Sequence, residues 1–311
     1  GPELGGFQYL ATENATDGGE VWRSADGTSW SRVVDAGFGD SQNNRIELQG
    51  VLTNTLYAYT ENQSTGVEVW RSSNGTDWTQ VNEDGFGDGD NYTGAGKMSV
   101  FNGRLFVGTA KHGDGEDPGG ELWCCQKCDG TDWQQVGGDG FGDSQNKIIV
   151  PLAQFGGYLY TGSANWWSGA QIWRSGNGTD WERVANGGLD DADNQAAWDC
   201  TVLGDTLFVA TYHPVSQGGC EIWRSTDGMN WERLQTGGFG DSNNEAASLA
   251  VFDNHLYAAT MNSAKGTQVW RYFASGGGIA ADVYLPLVVK RMPATGTCPP
   301  VYTDEIGRAH V

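Results

Sequence analysis

The chain has 311 residues, with 39 Asp and Glu against 18 Lys and Arg and a formal charge of −21. Such a surface repels phosphate backbones and anionic lipid, which excludes nucleic acid and charged membrane surfaces as partners. No run of 18 apolar residues occurs, so no membrane-spanning helix is expected.

Read from the N-terminus, short apolar runs bounded by Asn, Gly and Asp predict strands. Tyr9-Leu10-Ala11-Thr12 is followed by Glu20-Val21-Trp22-Arg23-Ser24, and both phrases return along the chain. The second recurs at Trp70, Trp123, Trp173, Trp223 and Trp270, in steps of 47 to 53 residues. In the second unit the strands fall near Ile46 to Leu52, Leu56 to Thr60, Val67 to Arg71 and Trp78 to Val81. A period near 50 with short strands predicts a radial array, because one such unit cannot bury both its faces alone. The expected fold is an all-β, six-bladed β-propeller of about four strands per blade over residues 1–273. Eleven of the 14 Trp sit at two repeated positions, which makes them core residues between neighbouring sheets. Between units runs Gly37-Phe38-Gly39-Asp40-x-x-Asn43, repeated around Phe86, Phe141 and Phe239 and drifted at Gly188-Leu189-Asp190-Asp191-x-x-Asn194. Its Asp and Asn are expected to cap turns.

Residues 274–311 read as a linker and tail. The last seven, 305–311, resemble one reading frame of a common sequencing adaptor, which implies a gene pieced together from environmental DNA with both native ends missing. Cys124, Cys125 and Cys128 cluster in the third unit, and three thiols fall short of the four ligands of a zinc site. A disulfide from Cys128 to Cys124 or Cys125 is expected, as is export to the cell surface or medium. Cys200 and Cys220 lie in one unit and are a second candidate pair.

Each Trp-Arg phrase leads into a turn spelled Ser24-x-Asp26-Gly27-x-x-Trp30, with counterparts at Asn74, Asp129, Asn177 and Asp227. The turns resemble the Asp-box of the BNR repeat of sialidases and other exported propellers, although here the acid and the Gly are adjacent where the family usually separates them by one residue. The resemblance implies a structural role for Asp26, Asn74, Asp129, Asn177 and Asp227, on the face opposite the usual active site. A sialidase also needs three Arg at the funnel mouth to hold a carboxylate. The repeated Arg23, Arg71, Arg174, Arg224 and Arg271 flank the turns instead, where stacking on Trp or pairing with an acid is expected. Arg45 alone stands near the start of an inner strand.

A ligand site is expected where the blades differ, on the face carrying the Gly-Phe-Gly-Asp loops. After the second strand stand Asn14, Asn62, Asn165 and Asn262, but Lys111-His112 and Tyr212-His213 replace the Asn in two units. Trp166, Trp167 and Trp198 lie outside the repeat. The ligand-binding candidates are therefore Asn165, Trp166, Trp167, Trp198, Lys111, His112, Tyr212 and His213. The expected role is an exported, monomeric, non-catalytic module binding an extracellular glycan or protein surface. The alternative is a glycoside hydrolase or polysaccharide lyase using Glu47, Asp199, Glu245 and His213. No organic cofactor is expected. Asp114, Glu116 and Asp117 offer oxygen ligands to calcium without EF-hand spacing.

Overall fold

The computed structural model describes residues 2–52, 54–111, 118–214, 218–275, 278–280 and 284–285. Blade 1 comprises Glu3–Leu4, Phe7–Ala11, Val21–Ser24 and Ser31–Val34. Blade 2 comprises Arg45–Leu52, Thr55–Glu61, Val69–Ser72 and Thr79–Gln80. Blade 3 comprises Asn91–Phe101, Arg104–Lys111, Leu122–Cys125 and Gln134–Val136. Blade 4 comprises Ile148–Phe155, Tyr158–Ala164, Ile172–Ser175 and Glu182–Ala185, and blade 5 Ala196–Leu203, Thr206–Tyr212, Ile222–Ser225 and Glu232–Gln235. Blade 6 has Ala246–Phe252, His255–Met261 and Val269–Ser275. Every pairing within a blade is antiparallel, and the propeller architecture read from the repeat is the one observed. Residues 278–280 and 284–285, placed beyond the ring by their composition, both pair with the third strand of blade 6.

Tight turns make the hairpins possible. At Asn102-Gly103 and Gly156-Gly157 both central residues have positive φ, as a two-residue hairpin requires. Single bridges then join the second strand of one blade to the first strand of the next, Glu61 to Thr93, Ala110 to Ile148 and Ala164 to Ala196, and Glu13, just past the second strand of blade 1, bridges to Arg45.

The cores lie between blades, not within them. Five apolar clusters are described, one at each junction from blades 1 and 2 to blades 5 and 6. The Phe of each inter-blade loop is part of this packing, a role its sequence context did not disclose. Phe38 stacks on Trp70 at 4.3 Å and meets Trp78 edge-on at 5.6 Å. Phe86 repeats this with Trp123 and Trp133, and Phe141 with Trp173 and Trp181. Phe239 stacks on Trp270, while Leu189 is the buried residue at the corresponding place before blade 5. Each Phe holds a positive φ, between 56° and 64°, which is an uncommon conformation for a bulky residue. The half-buried stacking offsets that local cost.

The acid–Gly turns form as their chemistry dictates. Asp26 accepts the backbone N–H groups of Thr28 and Ser29, and Asn74, Asn177 and Asp227 do the same two and three residues on. These N–H donors hold the Asp26 and Asp227 carboxyls well below the usual range. The Gly is required twice over at Gly228: its φ is +70°, and a Cβ there would meet the Tyr160 hydroxyl at 1.7 Å. In blade 3 the turn is enlarged. Asp129 keeps only Thr131, and Asp132 takes over, accepting from Gln126, Lys127 and Cys128.

Cys125 and Cys128 form the disulfide across this turn, with Cα atoms 5.1 Å apart, and Cys124 is a buried free thiol. The Cys200–Cys220 pairing is not formed. Cys200 faces the core shared with blade 4 and Cys220 the core shared with blade 6, so the sheet of blade 5 separates them. Cys298 lies outside the described residues. Two of the repeated Arg side chains stack on strand aromatics other than Trp, and two pair with an acid. Arg23 lies over Phe7 at 4.5 Å, Arg174 lies over Tyr158 at 4.4 Å and pairs with Glu182, and Arg224 pairs with Glu232.

Candidate functional site

The first strands of the blades line a central cavity of about 550 Å³. Its polar wall includes Arg45, Glu47, Gln49, Glu61, Lys97 and Asp199. The ladder is interrupted here by bulges. In blade 5 the pairing skips from Ala197 to Asp199, leaving Trp198 unpaired and free to turn its ring into the cavity. In blade 3 Lys97 lies between Ala95 and Ser99 in a wider interruption. Its ammonium reaches Asp199 of blade 5 at 3.0 Å, a contact between residues 102 positions apart.

Asp199 is fully engaged. Oδ1 also accepts the Cys200 N–H, and Oδ2 accepts the Leu249 N–H of blade 6 at 2.8 Å. On the facing side Arg45 pairs with Glu47 and lies 3.9 Å from Glu61. Gln49 accepts the Met98 N–H at 2.8 Å, which ties blade 2 to blade 3.

An aromatic run climbs from this floor to the loop face. Trp198 is 39% exposed, and its ring lies 5.7 Å from Tyr212. Tyr212 in turn meets Trp166 edge-on at 6.0 Å. Trp167 follows on the rim, 53% exposed, with its backbone N–H donating to the side-chain Oδ1 of Asn165. Trp198 therefore faces open space instead of filling the channel. Trp166 and Trp167 are consecutive residues of one turn, the first half-buried against Tyr212 and the second outward.

Other candidates belong to the frame. Asn165 is wholly buried, and its amide donates to Asp143 and Asn146, so it offers a ligand no free face. Lys111 is buried too, its ammonium held by Asp88 at 2.7 Å and Glu121 at 3.0 Å. Burial opposes that charge, but the two carboxylates win and hold the Lys111 ammonium above the usual lysine range. His213 is 3% exposed beneath the loop face, and Glu245 is absent from the cavity wall. The acid, base and Trp of a glycosidase reading thus do not converge: Glu47 and Asp199 share the cavity, whereas Glu245 and His213 stand outside it. His112, Asp114, Glu116 and Asp117 lie outside the described residues. Lys97 and Gln49 were not singled out from sequence, since a lone Lys and a lone Gln in an inner strand carry no motif.

Solved structures share the architecture. A sialidase from Trypanosoma rangeli in complex with sialic acid aligns with 86% of this chain and 52% of its own, at 14% identity and a TM-score of 0.50. A mutant of the Trypanosoma rangeli sialidase displaying trans-sialidase activity aligns with 86% of this chain and 51% of its own, at 12% identity and a TM-score of 0.51. The chain spans about half the length of these structures, and at such identity the likeness is one of fold. No family profile matches the sequence. No curated protein matches it either. Among the described residues no helix is long and apolar enough to cross a membrane.

Proposed function

We propose that this chain is an exported glycan-recognition propeller that binds through its central cavity without cleaving the sugar. The observation that carries the reading is the run Trp198–Tyr212–Trp166, with a half-exposed indole at the cavity floor and polar side chains around it. Flat apolar faces beside fixed donors and acceptors suit a pyranose, which has apolar faces and a polar rim. Two features argue against catalysis. Asp199 is committed to Lys97 and to backbone N–H groups, and among the described residues Arg45 is the one Arg on the cavity wall, where a sialidase needs three. The acid–Gly turns support membership of the Asp-box propellers, and the disulfide supports export.

A glycan array followed by calorimetry on the intact chain tests this. Trp198→Ala should weaken the selected glycan about tenfold while leaving unfolding unchanged. No binding by the wild type, or equal binding by the variant, would sink the proposal. Release of reducing ends from the selected glycan, lost in Asp199→Asn, would assign hydrolysis instead.

A further inference from the structure

The five inter-blade loops repeat one electrostatic arrangement, and one of them departs from it. In four loops the outer carboxylate oxygen of the Asp receives a donor. Asp40 takes the Asn62 amide at 3.1 Å, and Asp88 takes the Lys111 ammonium at 2.7 Å. Asp143 takes Gln171 at 2.9 Å and Asn165 at 3.3 Å, and Asp241 takes Lys265 at 2.8 Å and Asn262 at 3.4 Å. In the loop leading into blade 5 the Asp is Asp191, and its counterpart partner is His213, whose Nε2 lies 3.9 Å from Asp191 Oδ2. That separation is too long for a hydrogen bond. A second carboxylate, Asp193, stands in the same cluster, and ligand atoms of Asp191, Asp193 and His213 all lie within 4.8 Å of one another.

His213 is set up as a ligand. Its side chain is 4% exposed, and Nδ1 is placed 3.4 Å from the Pro214 carbonyl oxygen, which can accept only from an Nδ1–H. That tautomer leaves the Nε2 lone pair facing two carboxylates, with no donor between them among the described residues. The loop leading into blade 3 also carries two acids, Asp88 and Asp90, and there Lys111 supplies the counter-charge within the chain. Among the described residues no Lys or Arg pairs with Asp191 or Asp193, and His213 is the basic group beside them.

We propose that Asp191, Asp193 and His213 bind a divalent transition-metal ion of the zinc type, which pins the loop before blade 5 as Asn and Lys pin the others. One imidazole with two carboxylates selects such an ion over calcium, which prefers an all-oxygen shell. The two Asp are partly exposed, so they can close on an ion about 2 Å from each ligand atom, with water completing the shell. This inference does not rest on the glycan reading.

The test is zinc binding to the chelator-stripped intact chain, followed by metal analysis and thermal unfolding. One zinc per chain and a raised melting temperature are expected, because an ion bound only by the folded state stabilises it. His213→Asn installs the residue found at 62, 165 and 262, so it should fold with unchanged metal-free stability, bind zinc at least about tenfold more weakly and lose the melting shift. Asp193→Asn should weaken binding in the same direction. No stoichiometric zinc in the wild type, zinc retained in full by His213→Asn, or a preference for calcium would each overturn the assignment.

Discussion

The two faces of the propeller use the same residue types for different ends. On the turn face, Asp26, Asn74, Asn177 and Asp227 bond to backbone two and three residues away, so each turn is complete in itself. On the opposite face the side-chain bonds join distant segments. Asn91 donates to Gly85 and to Glu121 Oε2, 30 positions on, and accepts from Thr109. Asn43 is linked to Glu68 and Asn62 in the same way. A self-contained turn can be copied unchanged from blade to blade. A face built from long-range bonds can be altered at one blade, and the aromatic run and the His213 cluster both lie on the side where that has happened.

The contrast predicts a graded mutational response. Phe141→Ala should be the most damaging, costing about 3 kcal/mol in urea unfolding, because it empties the space between Trp173 and Trp181. Phe141→Leu should recover most of that loss, since Leu189 already serves at another junction. Asn91→Ala should follow at about 2 kcal/mol, leaving the Gly85 carbonyl and the Thr109 hydroxyl short of a buried partner.

Glu68 gives a pH-dependent response. Burial holds its carboxyl above the usual range, against the opposing bonds from Trp70 and Asn43. The folded protein therefore binds this proton more tightly than the unfolded chain. The site favours folding most below the ordinary carboxylate value, and that contribution is lost as pH rises through the folded-state value. Glu68→Gln, which copies Gln171 and Gln268, should be more stable than wild type by up to about 1 kcal/mol at pH 7, and the gap should close near pH 4. A gap that widens on acidification would refute the burial argument.

The smallest effect belongs to the turn face. Asp227→Asn should leave the melting temperature where it is, because Asn74 and Asn177 already fill that role. If Asp227→Asn proved as costly as Asn91→Ala, the distinction between the faces would fail.

The fold was legible in the sequence because its signals are local and repeated: strand length, turn residues and Trp spacing each recur in every blade. The disulfide was legible for the same reason, within one turn. The cavity was not, because Lys97 and Asp199 meet only when the blades curve around a common axis. The residues after each second strand misled in an instructive way. Their variation suggested ligand contact at Asn165 and Lys111, yet both are buried and hold the loop carboxylates. Variation there records different solutions to one charge-balance problem. Trp198 was recognised as outside the repeat, but its direction depended on a bulge that no residue type announces.

The lodging of Phe38, Phe86 and Phe141 between two Trp of the following blade has a consequence for how such a gene can grow or shrink. At these three joints, one Phe and one Trp pair occur in each period of the coding sequence. Unequal recombination that adds or removes a whole period therefore carries one key and one lock, wherever the crossover falls. The array can change length without leaving a mismatched joint in its interior, so blade number is open to drift while the joint itself is held fixed.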